Sequence, residues 1–377
     1  MARILAVRAR AVCIPLHTPF VTALRRTATI DTLLVSVHLS DGTCGFGEAP
    51  QVWAVTGESV VGAGACVDQV LGPVLEGADS DDWEHLADRL AGSCVRNFGA
   101  KAAAETALLD AVARTAGMPL AHLVAGAAGL PAPAVPPVAG ADRWEIPTDV
   151  TISAGSPDLL AGHARSRVQE GFDRLKLKVG TDAATDVARV RAVREAVGPD
   201  VGIRVDANQG WSRDEAVDVI RALDDAGLGV EFVEQPVAAD DVEGLARVRS
   251  RVGLPIMADE AVYGMRDLDR ILSLGAADGV NVKLAKCGGP LTGARLLVRA
   301  AAGGLGTMVG SMMESHIGVA AAASLVAAVG TSAVSDLDAA WWAAESPYGG
   351  GPSYGPGVIR VPVGPGLVMS AAGDRQP

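Results

Sequence analysis

The sequence predicts an α/β protein: a modified (β/α)8 TIM-like barrel preceded by an α+β unit. Three observations predict it. From residue 148 onward, about eight short apolar runs alternate with helical segments. Charged residues close five of those runs in succession, at nearly constant spacing. A proline-rich stretch separates this region from a different pattern upstream. The 377 residues suffice for a barrel plus an elaboration.

In chain order, Ile4 to Pro15 reads as a strand, and Leu33–Leu39 with Cys44–Ala49 as a hairpin turning at Asp41-Gly42. Between them HTPFVTALRRTATI reads as a polar loop, either a flap or an ordinary solvated connector. Val60–Leu75, Asp82–Leu90 and Lys101–Ala116 show helical spacing of apolar residues. Residues 1–130 therefore form one α+β domain. Residues 131–147, with four prolines from Pro131 to Pro137, form a linker. Residues 148–340 form the barrel. Its strands are expected at Val150–Ser153, Arg174–Val179, Val201–Asp206, Val230–Glu234, Pro255–Asp259, Gly279–Leu284, Gly306–Ser311 and Ser332–Leu337, with a helix after each of the first seven. No GxGxxG fingerprint suggests an open dinucleotide-binding sheet. The tail, 341–377, is rich in glycine and proline and is expected to run back over the first domain.

Composition narrows the function. The chain is 49% hydrophobic and 4% aromatic, so alanine, valine and glycine fill a large core. A net charge of -12 and a pI near 5.0 disfavour nucleic-acid and anionic-membrane partners. The five cysteines are scattered without a CxxC pair, which suits buried thiols in a reducing cytoplasm better than disulfides or zinc. The apolar run Ile317–Val329 is too short for a membrane span.

The spacing carries the chemistry. Lys178 to Asp206 is 28 residues, Asp206 to Glu234 is 28, Glu234 to Asp259 is 25 and Asp259 to Lys283 is 24. One βα unit has about that length, so each charge falls at the C-terminal end of its own strand, where barrels carry their sites. Asp206, Glu234 and Asp259 on adjacent strands suit a hard cation with oxygen ligands, Mg²⁺ rather than zinc. A single such acid more often caps the next helix; three in register favour the metal. Lys176 and Lys178, two apart, face the lumen together, and their mutual repulsion is expected to lower a lysine pKa. Lys283, in the apolar run GVNVKLAKCGG, faces them across the barrel. Bases on either side of a carbon can take a proton from one face and return it to the other. Asp336 and Asp338 form a same-face acidic pair that suits an ammonium group, or else an N-cap with a surface neighbour. Glu314, His316 and Lys286 stand close by in sequence without a firm role.

Lys176–Lys178, DAN at Asp206, EQP at Glu234, ADE at Asp259, NVKLAKCGG at Lys283 and the GFGEAP segment together resemble the muconate-lactonizing-enzyme subgroup of the enolase superfamily. Asp336-x-Asp338 and TPFVTALR resemble the dipeptide epimerases, most of all the L-Ala-D/L-Glu epimerase type. The resemblance implies an N-terminal capping domain and Mg²⁺ on Asp206, Glu234 and Asp259. It implies epimerisation at the C-terminal residue's α-carbon by 1,1-proton transfer through a metal-stabilised enediolate. Lys178 would serve the L-configured and Lys283 the D-configured substrate, with Lys176 as a further cation on the carboxylate. Asp336 and Asp338 would bind the dipeptide's ammonium and Arg25 its side-chain carboxylate, while Thr151, Ser311 and Met313 would line the site. Relatives are often octamers or dimers, so a homo-oligomer is also implied. AAWWAAESPYGGG, after Asp338, departs from the alanyl-glutamate pattern. Other activities of the subgroup (N-succinylamino acid racemisation, o-succinylbenzoate synthesis, muconate cycloisomerisation) use the same bases and metal, but their substrates lack a free ammonium. A non-catalytic ligand-binding barrel leaves the lysines unexplained.

Overall fold

The computed structural model describes residues 2–371. β1 (Ile4–Val21), β2 (Arg26–Leu39) and β3 (Cys44–Pro50) form an antiparallel meander. The β1–β2 ladder shifts register after Pro15 and resumes at Phe20↔Thr27 and Val21↔Arg26. The stretch expected as a loop is thus mostly strand, and only its tip turns, with Thr22 N–H donating to Arg25 O at 2.9 Å. Cross-strand pairing decided this, and residue polarity does not report it.

α1 (Val60–Cys66) passes through a π-turn at Val67–Leu71 into α2 (Gly72–Leu75). Pro73, unable to donate and crowding the preceding turn, accounts for the break in what reads as one helix. α3 (Trp83–Gly92), α4 (Phe98–Thr115) and α5 (Leu120–Ala127) complete the first layer. β3 lies directly on α4. A Cβ on Gly45 would fall 2.2 Å from Ala107 O, and one on Gly47 2.0 Å from Ala103 O. The two glycines of GFGEAP are therefore what allows strand and helix to touch.

β4 (Arg143–Pro147) occupies the end of the stretch read as linker. After it come β5 (Val150–Ile152), α6 (Pro157–Gln169), β6 (Arg174–Lys178), α7 (Ala183–Val197), β7 (Gly202–Asp206), α8 (Arg213–Asp225), β8 (Val230–Glu234), α9 (Val242–Arg249), β9 (Ile256–Ala258), α10 (Met265–Leu274), β10 (Gly279–Lys283), α11 (Leu284–Cys287), α12 (Pro290–Ala302), β11 (Gly306–Gly310) and α13 (His316–Val329). β5 to β11 form one curled parallel sheet in sequential order. The eighth stave, expected as a strand, is irregular. Ser335 bridges to Thr148 and Asp336 to Gly310, joining the two sheet edges through two residues.

In the tail, β12 (Tyr348–Gly350) precedes β13 (Ser353–Gly355) and β14 (Val358–Pro362), and β15 (Met369–Ala371) pairs back with β12. β14 pairs with β4, a partner some two hundred residues away in sequence, which is why proline content alone suggested a linker there. Further on, Leu367 N–H donates to Asp110 at 2.7 Å and Arg114 donates to Met369 O at 2.7 Å, so the tail also rests on α4. Two buried carboxylates of the N-terminal region cap barrel helices. Glu105 accepts from Leu291 N–H at 2.8 Å, at the start of α12. Glu48 accepts from Ser315 N–H at 2.7 Å and Gly318 N–H at 2.9 Å, at the start of α13. Among the described residues, no helix is long and apolar enough to cross a membrane.

Candidate functional site

Asp206 and Glu234 end their strands because the chain turns sharply just after them, and Asp259 directly follows β9. Asn208 (φ 43°) and Gln235 (φ 36°) take left-handed backbone conformations behind Asp206 and Glu234. Ligand atoms of Asp206, Glu234 and Asp259 lie within 4.8 Å of one another, all three residues buried. Neighbours hold them in place. Gln235 Oε1 accepts from Asp259 N–H at 3.0 Å and Ala261 N–H at 3.1 Å. Asn281 Nδ2 donates to Glu234 at 2.9 Å, and Lys286 donates to Asp259 Oδ1.

The lysines are distributed among these acids. Lys176 Nζ lies 3.1 Å from Asp206, 2.8 Å from Glu234 and 2.7 Å from Asp336. Lys178 pairs with Asp206 at 2.5 Å and Lys283 with Asp259 at 2.7 Å. The expected lowering by lysine–lysine repulsion does not appear at Lys176. Burial pulls its pKa down, but Asp336, Glu234 and Asp206 outweigh burial and hold it well above the usual lysine value. Lys283 is likewise raised, with Asp259 overcoming burial. Asp206 is drawn down to about 2, because Lys178 and Lys176 overcome its burial. Glu234, buried and only partly offset by Lys176, is pushed up to about 8.

The donor set fits a divalent cation. Its oxygens converge within 4.8 Å of one another, and all three residues are buried. Around it the buried carboxylates Asp206, Glu234, Asp259, Glu260, Asp336 and Asp338 face the buried ammonium groups Lys176, Lys178, Lys283 and Lys286. Carboxylates crowded this closely raise one another, as Asp206 and Asp259, on top of burial, do Glu234, and a divalent ion would offset that repulsion.

A cavity open to solvent lies over this cluster. Lys178 and Lys283 both line it, from β6 and β10, strands separated by three others in the sheet. Asp259, Asp336, Asp338, Arg25, Thr151, Ser311 and Met313 line it too. Lys176, Asp206 and Glu234 are not among the lining residues and lie beneath it. The acidic pair is divided: Asp336 holds Lys176, whereas Asp338 Oδ2 accepts from Thr151 N–H at 2.7 Å and Trp342 Nε1–H at 3.0 Å. Burial, then the charge of Asp336, raises the Asp338 carboxyl. Arg25 is half-buried, burial lowers its pKa, and no carboxylate pairs with its guanidinium among the described residues.

Sequence reasoning missed Asn208, Glu260, Phe20 and Val55 in the cavity wall, and Gln235, Asn281 and Lys286 as supports. The amides lie inside the quoted motifs DAN, EQP and NVK, so a signal existed for them. Phe20 lies inside the quoted TPFVTALR, whereas Val55 arrives from the N-terminal region with no such signal. His316 Nδ1 is buried without a partner, and burial lowers its pKa.

Comparison with known proteins identifies the family. Residues 4–125 match the mandelate racemase / muconate lactonizing enzyme N-terminal domain, and residues 159–374 match the enolase C-terminal domain-like family. The chain is 37% identical to an L-Ala-D/L-Glu epimerase of Bacillus subtilis over 98% of its own length and 97% of the relative's. The substrate-liganded structure of the B. subtilis epimerase superposes with a TM-score of 0.91, covering 98% of this chain and 99% of that one. A dipeptide epimerase from Enterococcus faecalis, solved with Mg and L-Leu-L-Tyr, is 34% identical with a TM-score of 0.89, covering 98% and 99%. An N-succinyl-L-Arg/Lys racemase of Bacillus cereus is 34% identical over 84% of this chain and 81% of its own. The chain belongs to the mandelate racemase / muconate lactonizing enzyme family of the enolase superfamily and is an enzyme of the isomerase class.

Proposed function

We propose that this chain is a Mg²⁺-dependent dipeptide epimerase that inverts the α-carbon of the C-terminal residue. The observation that carries the reading is that Lys178 and Lys283 border one cavity from well-separated strands, above a convergent carboxylate trio. A carbon between them can lose its proton to one amine and regain one from the other ammonium on the opposite face. Asp206, Glu234 and Asp259 would hold the ion, which as a Lewis acid supplies charge stabilisation to the substrate carboxylate as the α-proton leaves. The Asp206 and Asp259 oxygens are those that pair with Lys178 and Lys283. Engaging these oxygens as ligands withdraws the counter-charge that favours both ammonium forms, which favours the neutral amine a base requires.

Asp338, with Asp336 beside it, would take the substrate ammonium. The unpaired Arg25 guanidinium facing the cavity supports an acidic side chain on the second residue. Lys176, shared among Asp206, Glu234 and Asp336, would hold those carboxylates in register. The domain reading proposed with it is a cap of residues 1–130 completed by the tail over a barrel of 148–340. The test is a dipeptide library incubated with Mg²⁺-loaded protein in D₂O and followed by mass spectrometry. Deuterium is expected at the second residue's α-position, fastest for Glu or Asp there. Exchange confined to N-succinylamino acids would move the assignment to racemisation.

A further inference from the structure

We propose that Trp342 is a positioning residue that fixes the carboxylate of Asp338 and, through Phe20, keeps the pocket for the substrate's first residue small. The inference rests on the dipeptide reading above, and it concerns the segment after Asp338 that departs from the alanyl-glutamate pattern. Asp338 leads straight into a single turn of 3-10 helix, Ala339–Trp342, in which Trp341 N–H donates to Asp338 O at 2.9 Å. That turn brings the Trp342 indole back over its own starting residue. Its N–H reaches Asp338 Oδ2 at 3.0 Å, the oxygen that also accepts Thr151 N–H at 2.7 Å. Two donors on one oxygen fix the rotation of the carboxylate. Because both donors are neutral, the charge stays uncompensated and available to an ammonium at the cavity.

The indole itself is held from several sides. It is 4% exposed. The ring of His17 stacks on it at 5.5 Å and meets Trp341 edge-on at 4.6 Å. Arg167 covers the face of Trp341 at 4.3 Å. Phe20, which lines the substrate cavity, meets Trp342 edge-on at 5.2 Å. A second cavity lies behind this wall, lined by Trp342, Thr151, Ser153 and His163 among others. Thr151 lines both cavities. The indole therefore backs the partition between them, and a smaller residue would let Phe20 retreat into the space behind.

The test uses the full chain loaded with Mg²⁺, with epimerisation of L-Ala-L-Glu and L-Leu-L-Glu followed by α-deuterium exchange. Trp342→Phe keeps an aromatic ring and loses the N–H. It is expected to raise KM for L-Ala-L-Glu by about tenfold, with kcat within about twofold of wild type. Trp342→Ala is expected to raise the L-Leu-L-Glu to L-Ala-L-Glu ratio of kcat/KM by on the order of tenfold. A purely structural tryptophan would lower Tm in both variants and leave the KM-against-kcat split and the selectivity ratio unmoved, and that result overturns the inference. Wild-type protein that exchanges no member of the dipeptide library sinks the dipeptide reading and this inference with it. Wild-type activity together with a normal KM in Trp342→Phe sinks the inference alone.

Discussion

The floor and the wall of the cavity are built in opposite ways. The floor comes from one repeating unit: Asp206, Glu234 and Asp259 end consecutive strands, and Gln235, Asn281 and Lys286 brace them from the same rim. The wall gathers Arg25 from the β1–β2 turn, Thr151 from β5, Ser311 to Met313 after β11, and Asp338 with its Trp342 brace near the start of the tail. A floor set by sheet register resists change, because moving one acid shifts a strand. A wall of separate segments can be altered piece by piece without disturbing the register. The difference teaches that reaction chemistry and substrate choice are separable in this molecule.

That separation can be broken by experiment, and the floor should give the largest effects. Lys178→Ala and Lys283→Ala are each expected to lower epimerisation by about 10³-fold, with KM little changed. Epimerisation that survives both single substitutions would remove the two-base reading. Glu234→Gln should lower activity by about 10²-fold and abolish the rise in Tm that Mg²⁺ produces in the wild type. Thermal melts with and without the metal measure it, and an undiminished rise would place the ion elsewhere.

Wall substitutions should act on KM and on substrate preference. Asp338→Asn is expected to raise KM by roughly 10–100-fold for dipeptides with a free ammonium, with a much smaller effect on kcat. A kcat-only defect would place Asp338 in the chemistry instead. Arg25→Gln should cost about tenfold in kcat/KM for an acidic second residue and leave neutral ones nearly unaffected. Equal losses for both classes would show that Arg25 supports the flap rather than the ligand.

The smallest effect lies at the seam between the layers and is a pH effect. Burial raises Glu105 to about 8 against an ordinary value of 4.5. Between those values the folded state keeps a proton that the unfolded chain releases, so this group's contribution to stability is full at low pH and is lost as pH rises toward 8. Glu105→Gln cannot titrate. Its Tm relative to wild type should therefore improve from pH 5 to pH 8, whereas a constant difference would mean that Glu105 is ionised in the folded protein.

Legibility in the sequence followed the same division. The acids and lysines of the floor could be read because a βα repeat places one strand end every 24 to 28 residues. The eighth stave was weaker in sequence, and in space it is only the bridges at Ser335 and Asp336. β4 was hidden by the proline run just upstream, Pro131 to Pro137, and by a partner in the distant tail. The electrostatics of Lys176 could not be foreseen, since only the folded structure puts three carboxylates around one ammonium and reverses the expected direction of its shift.

By itself, the sequence determined the alternation of strand and helix, the family, and which residues sit at the strand ends. Those follow from local periodicity and short motifs, which survive without knowledge of distant contacts. Only the tertiary structure decided that Asp336 belongs with Lys176 while Asp338 is held by Thr151 and Trp342. It also decided that Phe20 and Arg25 share a cavity with Lys283. Apart from the Asp338–Trp342 bond, these are pairings across 160 to more than 250 residues of chain. Hydrogen bonds and ion pairs form where the folded backbone brings donor and acceptor within about 3 Å, and sequence separation carries no record of that distance.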